Sequence, residues 1–388
     1  MQLYFDNAAT SYPKPDSVVA AMASYQTECG ASPGRGAYNS AKHATSILDS
    51  CRQLLCDLVY APSVDHCILT LNCTDALNLA IVGVAKHFVS KGEDVHIVTT
   101  AMDHNSVLRP LHELESMGVR HTIVPADPKT GIVSPAAIQQ AITDTTRLVV
   151  VAHGSNVTGT IQDIETIGAV CGDIPFLVDA AQTMGHYPIH VERMNIAMLA
   201  FPGHKGLLGP LGTGGLILRP GIEHIVSPLR TGGTGSMSEY PVQPSTMPDK
   251  YEPGSHNMPG IAGLVASLEW ITEEGIQNLH AREQALCSAF IDLVDTEHAT
   301  IAGPKKEHRC GVFSLRFEND PLEVAEQLAE EFGIQARAGL HCAPFAHDTI
   351  DTSQFGGTVR VSFGPFHKIE DITYLANTLN TLSAKVLT

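Results

Sequence analysis

The feature of this sequence that most restricts its fold is an alternation of short apolar runs and helical patterns through the first two-thirds of the chain. Helical periodicity is clearest at residues 74–88 and 135–142. This rhythm is typical of βαβ units, so we predict an α/β fold with a mostly parallel sheet that helices cover on both faces. The apolar runs predicted as strands include residues 67–70, 95–98, 148–151 and 176–178.

The pattern changes in the last third of the chain. Residues 228–259 are rich in Gly, Pro, Ser and Thr and contain no clear element, which is typical of a functional or interfacial segment. A long helical pattern then covers residues 261–294. The pattern that follows predicts a smaller α+β domain, with strand, helix, strand and helix at residues 311–317, 321–332, 358–363 and from about Lys368 onward.

Charge and cysteine usage narrow the classes of partner. The formal net charge is -17 and no run of Lys or Arg offsets it, which argues against nucleic acid and anionic membranes as partners. No signal peptide is visible, and no apolar run is long enough to span a bilayer. The nine cysteines form no C-x-x-C pair and the histidines show no tight ligand spacing, so we predict reduced thiols, a cytoplasmic protein and no metal site.

Two residues downstream of the predicted strands are candidates for chemistry. Asp179 ends an apolar run (FLVDAAQ), and the carboxyl ends of parallel strands are where α/β proteins bind ligands. The alternative is that Asp179 only caps the next helix. Lys205 lies in FPGHKG, ahead of a Gly-rich stretch that is not a P-loop. The alternative is that Lys205 is a solvated surface residue.

Together, the two residues indicate pyridoxal-phosphate (PLP) chemistry. A PLP enzyme needs a lysine amine that binds the cofactor covalently and an acid that keeps its pyridine nitrogen protonated. The V-D-x-A-Q strand end, followed by the pair His204-Lys205, resembles the signature of the class V aminotransferase-fold family. The resemblance implies PLP as the cofactor, with Lys205 and Asp179 as catalytic residues.

The same resemblance implies an architecture. It is the type I fold of PLP-dependent transferases, with a mostly parallel seven-stranded sheet in the large domain and a smaller α+β domain. We predict the large PLP-binding domain at residues 15–265, and the small domain at residues 1–14 together with 266–388.

Further segments resemble the family in the same order along the chain. Residues 71–78 (LNCTDALN) resemble the helix start that holds the cofactor phosphate, which implies contacts from Cys73 and Thr74, whereas a plain Thr helix cap is the alternative. His104 resembles the catalytic residue that stacks on the pyridine ring, and the alternative is a surface histidine at a helix start. The remaining cofactor contacts implied are Asn156, Gln182 and His204.

A second group of residues resembles the family's substrate side. Asn7 and Ala8 lie in the N-terminal segment FDNAAT, and Arg360 resembles the arginine that pairs with the substrate carboxylate. A planar guanidinium fork suits a carboxylate, although an exposed strand charge is the alternative. The resemblance adds Asn156 and His341 to the substrate contacts.

Residues 231–236 (TGGTGS) resemble a segment that reaches across a homodimer to the partner's cofactor phosphate. Gly backbone and Thr hydroxyl groups suit a phosphate. The resemblance implies Thr234 as a cofactor contact and a homodimer with shared active sites, whereas a flexible loop is the alternative.

Cys342 separates the possible reactions. Residues 337–343 (RAGLHCA) resemble the R-x-G-x-H-C-A loop of type II cysteine desulfurases and selenocysteine lyases, although Leu340 stands where those enzymes usually carry His and the N-terminus is more like type I. The resemblance implies that Cys342 attacks the substrate sulfur, and we predict that His341 and Arg337 lower its pKa. The alternative is a buried inert cysteine, the class to which we assign the other eight.

We therefore predict a PLP-dependent cysteine desulfurase that cleaves L-cysteine to L-alanine and captures the sulfur as a persulfide on Cys342. A sulfur-acceptor protein or a small thiol would then take the sulfur. The alternatives are a selenocysteine lyase, another PLP-dependent lyase or transaminase with Cys342 as a bystander, and an inactive relative that only binds a sulfur-transfer partner.

Overall fold

The computed structural model describes residues 2–295 and 299–385, and the side chains of all of these except residues 383–385. The helices are α1 (Asp16–Ser24), α2 (Asn39–Val59), α3 (Cys73–Val89), α4 (Asn105–Glu115), α5 (Pro135–Ala141), α6 (Ile164–Cys171), α7 (Met258–Glu274), α8 (Ile276–Leu293), α9 (Pro321–Phe332), α10 (Pro344–Thr349) and α11 (Ile369–Lys385). The strands are β1 (Leu3–Tyr4), β2 (Cys67–Thr70), β3 (His96–Thr100), β4 (Arg120–Val124), β5 (Thr146–Ala152), β6 (Phe176–Asp179), β7 (Met198–Pro202), β8 (Gly214–Leu218), β9 (Thr300–Ile301), β10 (Val312–Arg316), β11 (Ile334–Gln335), β12 (Arg337–Gly339) and β13 (Thr358–Ser362).

The largest sheet has seven strands in the order β2-β8-β7-β6-β5-β3-β4. The strands from β7 to β4 pair in parallel, whereas β8 runs antiparallel to both β7 and β2. The sequence prediction of a mostly parallel seven-stranded sheet is thus confirmed. Its parallel strands end at one edge, which is where α/β proteins collect functional side chains.

The central strands are buried on both faces, which explains why they read as continuous apolar runs. Along β5, Val149 and Val151 belong to the core on one face of the sheet, while Leu148 and Val150 belong to the core on the other. This alternation follows the two-residue period of a strand. The sheet is therefore a rigid support for the loops at its edge.

The long helical pattern predicted over residues 261–294 is wrong as a single helix. The structure has two helices, because Gly275 lies between α7 and α8 with φ of 80°. Glycine adopts this positive φ without the steric cost that other residues meet, so the helix ends there and a new one starts. Between Ile225 and Met258 the described chain forms no helix or strand, as the composition predicted.

A second sheet, in the order β12-β13-β10-β9, is antiparallel, and β1 pairs in parallel with β11 beside it. Its core draws on both ends of the chain, from Phe5 to Leu382. The division into domains at residues 14/15 and 265/266 stays a prediction. None of the helices in the described part of the chain is long and apolar enough to cross a membrane.

Candidate active site

Asp179 and Lys205 come together at the carboxyl edge of the large sheet. Asp179 is the last residue of β6, and Lys205 follows the end of β7, the parallel neighbour of β6. Burial lowers the pKa of the Lys205 amine, and the negative charge of Asp179 opposes that shift. An amine with a lowered pKa is more often uncharged and therefore nucleophilic.

The Asp179 carboxylate is buried, and its Oδ1 atom accepts two hydrogen bonds. The donors are the backbone N–H of Ala181, at 2.9 Å, and the thiol of Cys73, at 3.4 Å. Burial raises the pKa of Asp179, while the Ala181 N–H and the charge of Lys205 oppose the rise. Between β6 and β7 the chain forms turns and no helix, so Asp179 does not cap one; its side chain lines the same cavity as Lys205.

One cavity brings together every predicted cofactor-binding residue except Thr234. Its walls come from the starts of α3 and α4 and from the segments after β5, β6 and β7. The predicted residues that line it are Cys73, Thr74, His104, Asn156, Asp179, Gln182, His204 and Lys205.

The start of α3 provides donors for an anion. The N–H groups of its first turn have no carbonyl acceptor within the helix. Asn72 satisfies one of them, since its Oδ1 atom accepts from the N–H of Asp75 at 2.9 Å. The hydroxyl oxygens of Thr74 and Ser106 lie 2.8 Å apart and add two polar groups to the same wall. This donor set suits a phosphate.

His104 lies at the start of α4, where its Nδ1 atom accepts from the N–H of Ser106 at 3.0 Å. The side chain is half-buried and lines the cavity. Burial lowers its pKa to about 4. The ring is therefore neutral near pH 7 and presents a flat, uncharged face.

His204 shows the same effect of burial. Its pKa is lowered to about 4, and its buried Nδ1 atom has no hydrogen-bond partner within residues 2–295 and 299–385. The backbone carbonyl of His204 accepts from the N–H of Ser11 at 3.0 Å, which ties the N-terminal segment to the Lys205 loop.

Three of the predicted substrate-side residues form a hydrogen-bonded chain. Arg360 is buried and donates from Nη1 to the carbonyl of Asn156, at 3.1 Å. The Asn156 amide donates in turn to the carbonyl of His341, at 2.6 Å. Gln182 donates to the carbonyl of Ala8, at 3.1 Å. These contacts place the substrate-side residues against the wall of the Lys205 cavity.

Asn7 is also buried, and its amide donates to the carbonyl of Ser362 at 3.3 Å.

Sequence reasoning chose Asn7 and Ala8 from the N-terminal segment and missed Asp6, which pairs with both Arg360 and Arg337. It also missed Asp103, a buried carboxylate that accepts from the N–H groups of Thr100 and Ala152 and so fixes the chain before His104. The only available signal was that both carboxylates stand inside segments that resemble the family.

Cys342 lies on a turn between β12 and α10. Both His341 and Cys342 have positive φ, 49° and 58°, a conformation that non-glycine residues rarely adopt and that is common at functional sites. The carbonyl of Cys342 accepts from the N–H of Asn105 at 2.8 Å, which ties the turn to the start of α4. All nine cysteines lie in the described residues, and Cys342 is the one that is exposed.

A second cavity adjoins the first and is lined by Cys342. The two cavities share Thr74, His104 and Ser106 in their walls. The thiol therefore lines a cavity that shares a wall with the Lys205 cavity.

His341, the neighbour of Cys342 in sequence, is not a cation in the structure. Burial lowers the pKa of His341 to about 2, so the ring carries no positive charge near pH 7. Its Nε2 atom lies 3.1 Å from the hydroxyl oxygen of Thr358. Arg337 is charged and pairs with Asp6 at 2.8 Å.

Thr234 lies apart from the other predicted cofactor residues. It lines a different cavity, between α2 and the irregular segment that precedes α7. A buried ion pair anchors that segment: Arg52 donates to both carboxylate oxygens of Glu252, at 2.7 and 2.6 Å. Within one chain Thr234 thus does not reach the Lys205 cavity.

The chain is similar to known proteins over nearly its whole length. A family model described as Aminotransferase class-V matches residues 3–375. The chain is 35% identical over 386 residues to a protein of Methanothermobacter thermautotrophicus named "Probable cysteine desulfurase", a match that covers 98% of this chain and 94% of that protein. It is 30% identical over 348 residues to a cysteine desulfurase of Yersinia pestis, covering 88% and 84%.

Solved structures agree with these matches. A cysteine desulfurase from Thermococcus onnurineus superposes with a TM-score of 0.91 at 29% identity, covering 99% of this chain and 95% of that one. The cysteine desulfurase CsdA from Escherichia coli superposes with a TM-score of 0.83 at 25% identity, with the same coverage.

Proposed function

This chain belongs to the class-V aminotransferase family, and from that membership we propose that it is a PLP-dependent cysteine desulfurase. It converts L-cysteine to L-alanine and takes the sulfur as a persulfide on Cys342. The observation that carries the proposal is the position of Cys342, an exposed thiol on a strained turn beside the cavity that holds Lys205 and Asp179. Relatives named cysteine desulfurase support it.

The residues of the cavity fit PLP. Lys205 carries an amine whose pKa burial lowers and which can bind the cofactor aldehyde, and Asp179 is a buried acid for the pyridine nitrogen. The start of α3 offers N–H and hydroxyl donors for the phosphate, and the neutral ring of His104 suits the face of the pyridine. When bound, PLP supplies an electron sink that weakens bonds next to the substrate's α-carbon.

Arg360 orients the substrate in this proposal. Its guanidinium is buried, and its Nε atom has no hydrogen-bond partner in the part of the chain that the structure describes. A carboxylate of an amino acid would satisfy that donor and neutralise the charge.

Cys342 performs the sulfur transfer. Its thiolate forms an S–S bond with the substrate sulfur as the bond between that sulfur and Cβ breaks. The bonding electron pair stays with Cβ, which takes up a proton and becomes the methyl group of alanine. The sulfur is oxidised to the persulfide level while Cβ is reduced, so the step balances without an external oxidant. The persulfide then passes to a sulfur-acceptor protein or to a small thiol.

A homodimer with shared active sites is part of the proposal. Thr234 stands in a segment that suits phosphate binding, yet it lies away from the Lys205 cavity of its own chain. A partner subunit would bring the two together. A protein that is monomeric in solution and turns over at full rate contradicts this part.

The experiment that tests the function incubates the purified, PLP-loaded protein with L-cysteine and, separately, with L-selenocysteine. We expect alanine from cysteine, with sulfide released when a thiol reductant is present. Alanine and selenide from selenocysteine alone would assign the protein as a selenocysteine lyase. Pyruvate and ammonia in place of alanine would indicate β-elimination, and a PLP-bound protein without turnover on any amino acid would indicate an inactive relative.

A further inference from the structure

Cys73 contacts the carboxylate at the centre of the proposed cofactor site. It is the first residue of α3, and its Sγ atom lies 3.4 Å from Oδ1 of Asp179, although the two residues are 106 positions apart. The backbone N–H of Ala181 donates to the same oxygen, at 2.9 Å. Within residues 2–295 and 299–385 no donor reaches Oδ2. Two protein donors thus hold one oxygen of the carboxylate and leave the other free.

The thiol can act only as a donor in this contact. Burial raises the pKa of Cys73 well above its ordinary value, and the negative charge of Asp179 raises it further. The sulfur therefore keeps its proton near pH 7. A thiol is a weak donor, but a carboxylate acceptor strengthens the hydrogen bond.

We propose that Cys73 is a positioning residue for Asp179: its S–H group holds Oδ1 and leaves Oδ2 for the ring nitrogen of the bound cofactor. This inference rests on the proposed function, because it assumes that the cavity binds PLP. The contact also favours the ionised carboxylate, which burial otherwise disfavours. The competing explanation is that Cys73 is a small apolar residue that only fills space beside the start of α3.

The two explanations differ in what they require of the side chain. If the S–H donor matters, Cys73→Ser still positions Asp179 by a hydrogen bond, whereas Cys73→Ala and Cys73→Val do not. Val fills the space of the thiol without a donor, so it separates packing from hydrogen bonding. Cys171→Ala is a matched control, since Cys171 is a buried thiol at the end of α6 that does not line the cavity.

The experiment compares the PLP-loaded wild type with these four variants. For each, we would measure cofactor content, the pH midpoint of the visible absorbance of the bound cofactor, and kcat and KM for L-cysteine. We expect Cys73→Ala and Cys73→Val to retain PLP and to show a midpoint at higher pH. Without the thiol donor, Asp179 is less firmly ionised and stabilises the positive ring nitrogen less. The bond between Lys205 and the cofactor, whose protonation sets the midpoint, then has less positive charge nearby and keeps its proton to higher pH.

In the same two variants we expect kcat to fall by roughly threefold to tenfold, the scale of one lost hydrogen bond. KM should stay unchanged, because Cys73 is not proposed to touch the amino acid. Cys73→Ser should return the midpoint and kcat toward the wild-type values, and Cys171→Ala should match the wild type.

Wild-type midpoints in both Cys73→Ala and Cys73→Val would overturn the inference, as would a Cys73→Ser variant that behaves like Cys73→Ala. If one variant fails to fold, as judged by its melting curve, the other two still decide between a donor and a space-filling role. A wild-type protein that binds no PLP would instead contradict the proposed function, so the two failures are distinguishable.

Discussion

The guanidinium of Arg360 is paired with the carboxylate of Asp6, with 3.0 Å between Nη2 and Oδ1. The pair joins β13 to the segment that follows β1. Asp6 also pairs with Arg337, at 2.8 Å. One carboxylate thus faces two guanidinium groups, and a net positive charge remains. That charge, on a buried side chain beside Asn156, suits the carboxylate of an amino acid.

We expect Arg360→Lys to raise KM for L-cysteine by roughly tenfold or more while cofactor content stays unchanged. A lysine keeps the charge but loses the planar fork that pairs with a carboxylate and with Asn156 at once. Steady-state kinetics and the absorbance of bound PLP measure the two quantities. Arg316→Lys, at the end of β10, is the control. An unchanged KM in Arg360→Lys would show that Arg360 has a structural role only.

Lys205→Ala should abolish turnover and remove the covalent link to PLP, because Lys205 is the one lysine among the described residues that lines the cavity with Asp179. Borohydride reduction followed by peptide mapping locates the modified lysine. Lys129→Ala is the control, since Lys129 lies on an exposed turn. PLP attached to a lysine other than 205 would show that the assignment is wrong.

Asp179→Asn should retain PLP but lower kcat by roughly tenfold to a hundredfold. The neutral amide cannot stabilise a positive ring nitrogen as a carboxylate does, and a hydrogen bond to a charged group contributes more than a neutral one. Cofactor content and single-turnover rates with L-cysteine separate binding from chemistry. Near-normal rates would remove the electron-sink role from this residue.

Cys342→Ser should keep the visible absorbance of bound PLP and still bind cysteine, yet form no persulfide. The hydroxyl cannot take sulfur, whereas cleavage of selenocysteine should survive in part because selenium is the better leaving group. Mass spectrometry of the protein after one turnover detects the persulfide. Cys29→Ser is the control, since Cys29 is a partly exposed thiol outside both cavities. Alanine release from cysteine at the parental rate would reduce Cys342 to a bystander.

The ion pair of His186 and Glu283, at 3.2 Å, should make stability depend on pH. Burial lowers the pKa of His186, but the charge and hydrogen bond of Glu283 outweigh it, so the pKa is raised overall. For Glu283, burial raises the pKa, but His186 and the N–H of Gly311 outweigh it, so the pKa is lowered overall. The contribution of His186 to the free energy of unfolding is lost as pH rises through its raised pKa. The contribution of Glu283 is lost as pH falls through its lowered pKa.

Glu283→Gln should therefore lower the free energy of unfolding by about 1–3 kcal/mol near pH 6, with a smaller difference from the wild type at high pH, where His186 is neutral in both proteins. Denaturant titrations at several pH values measure the difference. Glu274→Gln is the control, because its ion pair with Arg282 lies on the surface, where such pairs contribute little. A difference that is the same at every pH would contradict the coupling.

Much of the fold and part of the site follow from local sequence. The period of apolar residues predicts the central strands, because a strand buried on both faces must be apolar throughout. Side chains that follow parallel strands meet at one edge of the sheet, which is why the sequence alone is enough to pair Asp179 with Lys205. The Gly- and Pro-rich composition of residues 228–259 predicts a segment without helix or strand, and the described chain has neither between Ile225 and Met258.

Other features depend on packing that no local pattern contains. The neutral state of His341 follows from its burial, and burial is a property of the whole fold. The contacts of Asp6 with Arg360 and of Cys73 with Asp179 join residues 354 and 106 positions apart. Sequence thus determined which residue types stand at the ends of which elements. Only the tertiary structure decided which of them touch and which carry a charge, because both depend on which residues the packed chain brings together and withdraws from water.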